Sequence, residues 1–399
     1  MTITDVAREA RVSVASVSRV VNGHANVLPE TRQRITEVID RLRYVPHTAA
    51  RSLATRRTHV IGVLLPDLYG GFFSELIRGI DAAARELALH LLLSSSHGDA
   101  TEMAAAIRAM RGRVEGLLVL APQLDAAGLG ELDAAVPTVF MNSRVDDGVS
   151  SSLAIDSYGG ARAMVRHLVA RGHETIAHIT GPVDNFDSHE RERGYRDELA
   201  RSLPRARVMV MRGDFTEASG YAAGRELCAR AKPARPAAVF AANDVMAIGC
   251  MAAAGALGLT VPDDVAVAGF DDIPLAAYVR PTLTTMRVPI VELGRGAVTQ
   301  LAAAIAAPGA ARAVTTTLGP ELVVRDSCGA AGARASTTKR PPGDGDPDDQ
   351  HDPADDPRLS PRASPRARPR TGPRTGDGRP PATAAEPTPP LGRRARRRT

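Results

Sequence analysis

From residue 60 onward the chain alternates short apolar runs with stretches whose apolar residues recur at helical spacing. Runs at 60–65, 91–94, 116–120 and 138–141 are continuous in Val, Ile and Leu, the pattern of strands buried on both faces of a parallel sheet. Helical periodicity fills the gaps near 72–88, 100–112 and 126–134. The order begins again after Asp156, with strands near 176–180, 208–211, 238–241 and 265–270 and helices near 158–171, 188–202, 217–231 and 244–258. Two doubly wound α/β lobes are predicted, and such sheets take ligands beyond the carboxyl ends of their strands.

Before residue 58 the pattern is different. Thr2-Ile3-Thr4-Asp5 has the form of a helix-starting box, and the first helix is expected to run to about Ala10. Ser13 can cap a second helix that Asn22-Gly23 stops. On it Val17, Val20 and Val21 share one face, while Ala15, Ser16 and Arg19 occupy the other. A third helix starts at Pro29, with Ile35, Val38, Ile39 and Leu42 turned inward. Two short helices joined by a tight turn, the second displaying small and polar groups, make a helix-turn-helix. The spacing alone also fits an amphipathic helix in a small bundle.

Charge sharpens the division. Residues 1–57 hold ten Arg against five Asp and Glu, and residues 330–399 hold fifteen Lys and Arg against nine, so the formal +5 of the 399-residue chain hides an acidic middle. A basic head beside an acidic body suggests a polyanion-binding module on a body with other business. The first residues lack an apolar signal core and no long apolar run appears, which predicts a soluble cytoplasmic protein with no membrane contact. Cys228, Cys250 and Cys328 are far apart and read as buried free thiols, with neither a disulfide framework nor a metal site implied. Phosphate loops, the G-x-S-x-G elbow and H-E-x-x-H are all absent, and His167, His173 and His178 are expected on a helix, a turn and a strand without partners. Neither an enzyme nor a bound cofactor is expected.

The stretch from Thr2 to Gly23, then Pro29-Glu30-Thr31-Arg32, Tyr44-Val45-Pro46 and Ala49 to Ala54, resembles the head and hinge of the lactose/galactose repressor family. The resemblance continues through Ile155-Asp156-Ser157-Tyr158-Gly159-Gly160, Ser188-(x)2-Arg191-(x)2-Gly194-Tyr195, Ala242-Asn243-Asp244 and Gly269-Phe270-Asp271-Asp272, and ends near Cys328. It implies a helix-turn-helix head with a hinge helix (1–57, hinge about 47–54) and a periplasmic-binding-protein-like body (58–328). The lobes would be 58–156 with 286–315 and 157–285 with 316–328. The implied activity is that of a homodimeric transcription regulator, a repressor, that binds a palindromic double-stranded DNA operator under control of a small-molecule effector. Thr4, Ser13, Val14, Ala15, Ser16, Ser18, Arg19 and Asn22 are then the expected DNA contacts of the head. His47, Ala50 and Leu53 are those of the hinge, with Leu53 wedged into the minor groove.

For the effector the resemblance points to Arg191, Asn243 and Asp271, and to Asn142, whose place is held by Asp in several sugar-binding members; the residues themselves add Phe72 and Phe73. A forked donor, a carboxylate and an amide suit a polyhydroxylated ligand, and an aromatic ring can stack on a sugar or base face. Each has a plainer alternative: Arg191 as a surface helix residue, Asn243-Asp244 as a helix cap, Phe72 as core. Three departures from the family pattern stand out. Leu28 replaces a capping Ser or Thr, Asn142 replaces an Asp, and Gly70-Gly71 replaces Asn-Pro. The rival functions are the solute-binding module of a sugar uptake system, a regulator answering to a nucleobase or nucleoside, and a sugar-acting enzyme. The segment 329–399, rich in Pro and Arg and nearly free of aliphatic side chains, is expected to be a disordered tail.

Overall fold

The computed structural model describes residues 1–44, 57–121, 136–143, 150–307 and 313–329. The expected hinge helix with His47, Ala50 and Leu53, the expected helix near 126–134 and the tail from 330 onward lie outside these residues.

Three helices build the head: α1 (Ile3–Glu9), α2 (Val14–Val21) and α3 (Pro29–Leu42). Thr2 and Asp5 form the reciprocal capping box at α1, and Ser13 accepts from the Ser16 N–H at α2. Gly23 takes a φ of +74°, the left-handed conformation that ends α2 without a Cβ clash. Leu28 stands at the start of α3 with no side-chain cap, as its chemistry requires. Val6, Ala7, Ala10, Val17, Ile35 and Val38 form the small core.

The body carries two parallel sheets. The first takes β1 (Val60–Leu65), β2 (His90–Ser95), β3 (Leu117–Leu120), β4 (Thr138–Met141), β5 (Ser151–Ile155) and β11 (Thr315–Leu318), in the order β11-β5-β4-β3-β1-β2. The second takes β6 (Ile176–Thr180), β7 (Met209–Arg212), β8 (Ala238–Ala241) and β9 (Ala266–Ala268), in the order β7-β6-β8-β9. A small antiparallel pair, β10 (Thr285–Arg287) with β12 (Glu321–Val323), adjoins the β9 end of the second sheet through isolated bridges from Ala268 to Thr284 and from Asp271 to Arg287. Because β11 pairs with β5, the chain stays with the first sheet through Leu318, slightly later than the expected 315/316 boundary.

Helices α4 (Gly71–Glu86), α5 (Ala100–Met110), α6 (Ser157–Ala170), α7 (Phe186–Ser202), α8 (Glu217–Cys228), α9 (Asp244–Ala256) and α10 (Ile290–Ala306) pack around these sheets. Where α4 crosses α10 the backbones touch: a Cβ on Gly79 would strike the Val291 carbonyl, and one on Gly294 the Leu76 carbonyl. The three cysteines are buried and free. No described helix is long and apolar enough to cross a membrane.

The histidines correct one expectation. His178 Nδ1 donates to the Phe240 carbonyl at 2.9 Å, with the ring between Tyr195 and Phe240. His167 Nε2 lies 3.3 Å from Cys328 Sγ, and His173 Nε2 lies 3.2 Å from the Cys328 carbonyl. All three have partners because their positions are wholly or partly buried, and a buried polar ring that finds none is costly.

Candidate functional site

Both sheets reverse strand order at a point where adjacent crossovers leave a crevice. In the first sheet this falls between β1 and β3, and in the second between β6 and β8. The loops after those strands face one cavity of about 350 Å³, lined from the first sheet by Pro66, Asp67, Tyr69 to Phe73, His97, Leu120 and Asn142, and from the second by Asn185, Asp187, Arg191, Phe215, Asn243 and Asp271 among others. All six effector candidates line it.

Arg191, far from being a surface helix residue, is 4% exposed on α7. Its guanidinium lies over the Phe270 ring, 3.9 Å from the centroid, donates from Nη1 to the Ala242 carbonyl at 2.5 Å and from Nε to Ser157 Oγ at 3.3 Å. Nη2 faces Asp271 Oδ1 at 3.5 Å, an ion pair without a hydrogen bond. Asp271 is 6% exposed, and that Oδ1 has no hydrogen-bond donor among the described residues. Burial pushes its carboxyl up to about 7, against the pull of Arg191 and helped by the neighbouring Asp187. Its φ of +115° is a conformation L-residues rarely adopt, the kind of local strain found at binding sites.

Asn243 is both cap and lining. Its Oδ1 accepts from the Met246 N–H at 3.0 Å and its Nδ2 donates to the Phe215 carbonyl at 3.2 Å. Asn142, with φ +44°, uses Oδ1 to hold the Ile155 N–H at 3.0 Å. Phe72 and Phe73 are half-buried in the first turn of α4 and meet edge to face, with centroids 5.5 Å apart. Sequence reasoning missed Asp187, which accepts from Ser157 Oγ at 2.8 Å and whose carboxyl burial also pushes up. It lies four residues before Arg191, on the same helix face, and that spacing could have found it.

In the head, Thr4, Ser13, Val14, Ala15 and Arg19 are exposed, and Ser16, Ser18 and Asn22 are half-buried. Ser13 Oγ bonds Ser16 Oγ at 2.9 Å, and Ser18 Oγ accepts from Asn22 Nδ2 at 3.3 Å, so those polar groups brace α2 as well as facing outward. Arg8 and Arg41 are tied to Asp5 and Glu9, whereas Arg19 makes no ion pair among the described residues. Small side chains beside one untied Arg let a helix approach a groove floor and reach a phosphate or guanine edge.

A family model described as bacterial regulatory proteins, lacI family, matches residues 2–47, and one for a periplasmic binding protein-like domain matches 165–328. The ribose operon repressor of Escherichia coli (strain K12) is 37% identical over 313 residues, 77% of this chain and 94% of that protein. The chain belongs to the lactose/galactose repressor family. Catabolite control protein A of Priestia megaterium, 36% identical over 298 residues, covers 74% of the chain and 89% of its own length. A crystal structure of the lac repressor dimer bound to operator and the anti-inducer ONPF superposes with a TM-score of 0.74 at 29% identity, covering 83% of this chain and 99% of that one. As a lactose/galactose repressor family member, the chain is a DNA-binding transcription regulator with an effector-binding body. The relatives named here regulate transcription and are not enzymes, and the head sets the chain apart from a transporter's solute-binding module.

Proposed function

We propose that this regulator acts in the cytoplasm as a homodimeric repressor, holding a palindromic operator with two heads and answering to a sugar in the cleft, which it returns unchanged. The observation that carries the reading is Asp271 Oδ1, a buried acceptor with no donor among the described residues, in a cavity lined from both sheets. A ligand hydroxyl completes it. Thr4, Ser13, Val14, Ala15, Ser16, Ser18, Arg19 and Asn22 are assigned to the operator half-site, and His47, Ala50 and Leu53 to its centre. Phe72, Phe73, Asn142, Arg191, Asn243 and Asp271 are assigned to the effector. One recognition helix reads too few base pairs, which is why two are needed.

Thermal-shift screening of free sugars and of nucleobases against the full chain tests the effector class. Stabilisation by a sugar that also changes operator affinity supports the reading. Stabilisation by purines or pyrimidines alone replaces it with the nucleobase alternative.

A further inference from the structure

The motifs Asn243-Asp244 and Asp271-Asp272 divide in the same way. Among the described residues, Asn243 and Asp271 line the cavity, whereas Asp244 and Asp272 do not. The second residue of each pair instead reaches β10, the strand by which the chain leaves the second sheet and passes through Val288 and Pro289 into α10. Buried Asp244 accepts from Thr285 Oγ1 with one carboxylate oxygen and from the Ile273 N–H at 2.8 Å with the other. Asp272 accepts from Arg287 Nε at 2.8 Å with Oδ2 and from Arg325 Nη2 at 2.6 Å with Oδ1. Thr285 and Arg287 stand two positions apart on β10 and so share one face of it. Arg325 belongs to the opposite passage, from β11 of the first sheet through β12 to Ser327, whose hydroxyl donates to the Val267 carbonyl of β9 at 2.6 Å. The one carboxylate of Asp272 therefore ties both passages to a single corner, next in sequence to the cleft residue Asp271.

That corner has little freedom. Asp271 and Asp272 take φ of +115° and +56°, the Asp271 N–H donates to the Met286 carbonyl at 2.8 Å, and the Asp271 carbonyl accepts from the Val288 N–H at 3.2 Å. Backbone bonds thus fix Asp271 against β10. The Asp272 side chain, 7% exposed, adds the second passage through charged hydrogen bonds that are largely shielded from water. On the reading that a small molecule in the cleft controls the head, we infer that Asp272 is the positioning residue that carries ligand contact at Asp271 into the angle between the lobes. A ligand that shifts Asp271 shifts β10 with it, and Asp272 makes Arg325 and the β12 passage follow in step. Passages that move together turn one lobe against the other as rigid bodies, while passages that move separately absorb the shift locally. From β10 the shift enters α10, which touches α4 at Gly79 and Gly294, and the first turn of α4 lines the cavity through Phe72 and Phe73.

Asp272→Asn tests this with the backbone intact, because Asn tolerates a positive φ and its amide puts a donor where a guanidinium needs an acceptor. Arg287→Met is the second variant, at a side chain 54% exposed whose loss spares the fold. Full chains are titrated with labelled palindromic operator by fluorescence anisotropy, with and without saturating D-ribose, D-glucose, D-galactose, D-fructose, adenine or guanine, and calorimetry gives the affinity for each probe. Both variants should bind a probe that alters wild-type operator affinity within about threefold of wild type, since neither side chain lines the cavity. The change that probe causes in operator affinity should shrink by about threefold or more in Asp272→Asn and by about twofold in Arg287→Met. A response of wild-type size in Asp272→Asn overturns the inference, as does a probe affinity lowered by about tenfold or more, which would make Asp272 part of the ligand site. Should Asp272→Asn lack a cooperative melt, Arg287→Met decides alone, and a wild-type response there overturns the inference. A wild type that answers to none of these probes removes the effector reading itself, and the inference with it.

Discussion

Replacing Asp271 by Asn should make the empty protein more stable and its effector response weaker. The carboxyl ordinarily titrates near 3.8 and is pushed up to about 7 in the fold, so the folded state holds a proton that the unfolded chain releases. Between those values stability falls as pH rises, because the native state binds more protons. Above pH 7 the full penalty of a buried, ionised carboxylate is present. Raising the carboxyl from 3.8 to about 7 corresponds to about 4 kcal/mol, a ceiling for what Asp271→Asn can recover at pH 8. Asp187 and Asp244 are shifted in the same direction and keep part of the slope in the variant. With no Trp in the chain, thermal unfolding is best followed by far-UV circular dichroism between pH 5 and 8. The variant should melt several degrees higher at pH 8, with the gain shrinking toward pH 5. Loss of a charged acceptor should also weaken the effector by roughly tenfold to a hundredfold. A variant that is less stable at pH 8, or equally responsive to ligand, would refute the account of Asp271.

Three further outcomes follow from named positions. His178 is held down to about 4 by burial, so its contribution to stability is full above pH 6.5 and is lost as pH falls toward 4; acid should therefore unfold Asp271→Asn more steeply than the wild type, whose Asp271 has the opposite slope, measured by urea unfolding at pH 4.5 and 6.5. Leu28→Ser supplies the missing cap of α3 and should stabilise the head by about 1 kcal/mol, read from chemical denaturation of its helical signal. Leu53→Ala should weaken palindromic operator binding much more than binding to random duplex, since a wedge acts only at a deformable step; equal losses on both would dismiss the hinge assignment.

The hydrophobic pattern located β1, β3, β4, β6, β8 and β9 because parallel strands buried on both faces have unmistakable apolar runs, and it located the edge strands β2 and β7 because they keep apolar residues though no more than half-buried. It did not locate β5, β11 or the β10 and β12 pair. Ser151-Ser152 and Thr315-Thr316-Thr317 are half polar, and their place in the fold is set by neighbours distant in sequence, as in the pairing of β11 with β5. The site divides in the same way. Arg191 and Asp271 stood out through motif and chemistry, while Asp187 drew no notice because its role depends on Ser157, thirty positions earlier in the chain. Asn243 proved to be a cap and a lining residue together, so the two alternatives weighed from sequence do not exclude one another. Arg191 also holds Ala242 and Ser157, which makes Arg191→Ala a poor probe: it would leave several buried acceptors unpaired along with any effect on ligand.

The central claim is that a ligand in the cleft sets the affinity of the head for DNA. It is tested most directly by fluorescence anisotropy with a labelled palindromic operator, for wild type and Asp271→Asn, with and without the sugar that calorimetry identifies. Wild-type operator affinity should change between about fivefold and a hundredfold on saturation with the sugar, the ordinary range of coupling between two sites. Asp271→Asn should bind the operator as the wild type does without ligand and should respond only at much higher sugar concentration. Operator affinity that ignores a sugar bound in the wild-type cleft, or that is lost in Asp271→Asn without ligand, would contradict the claim.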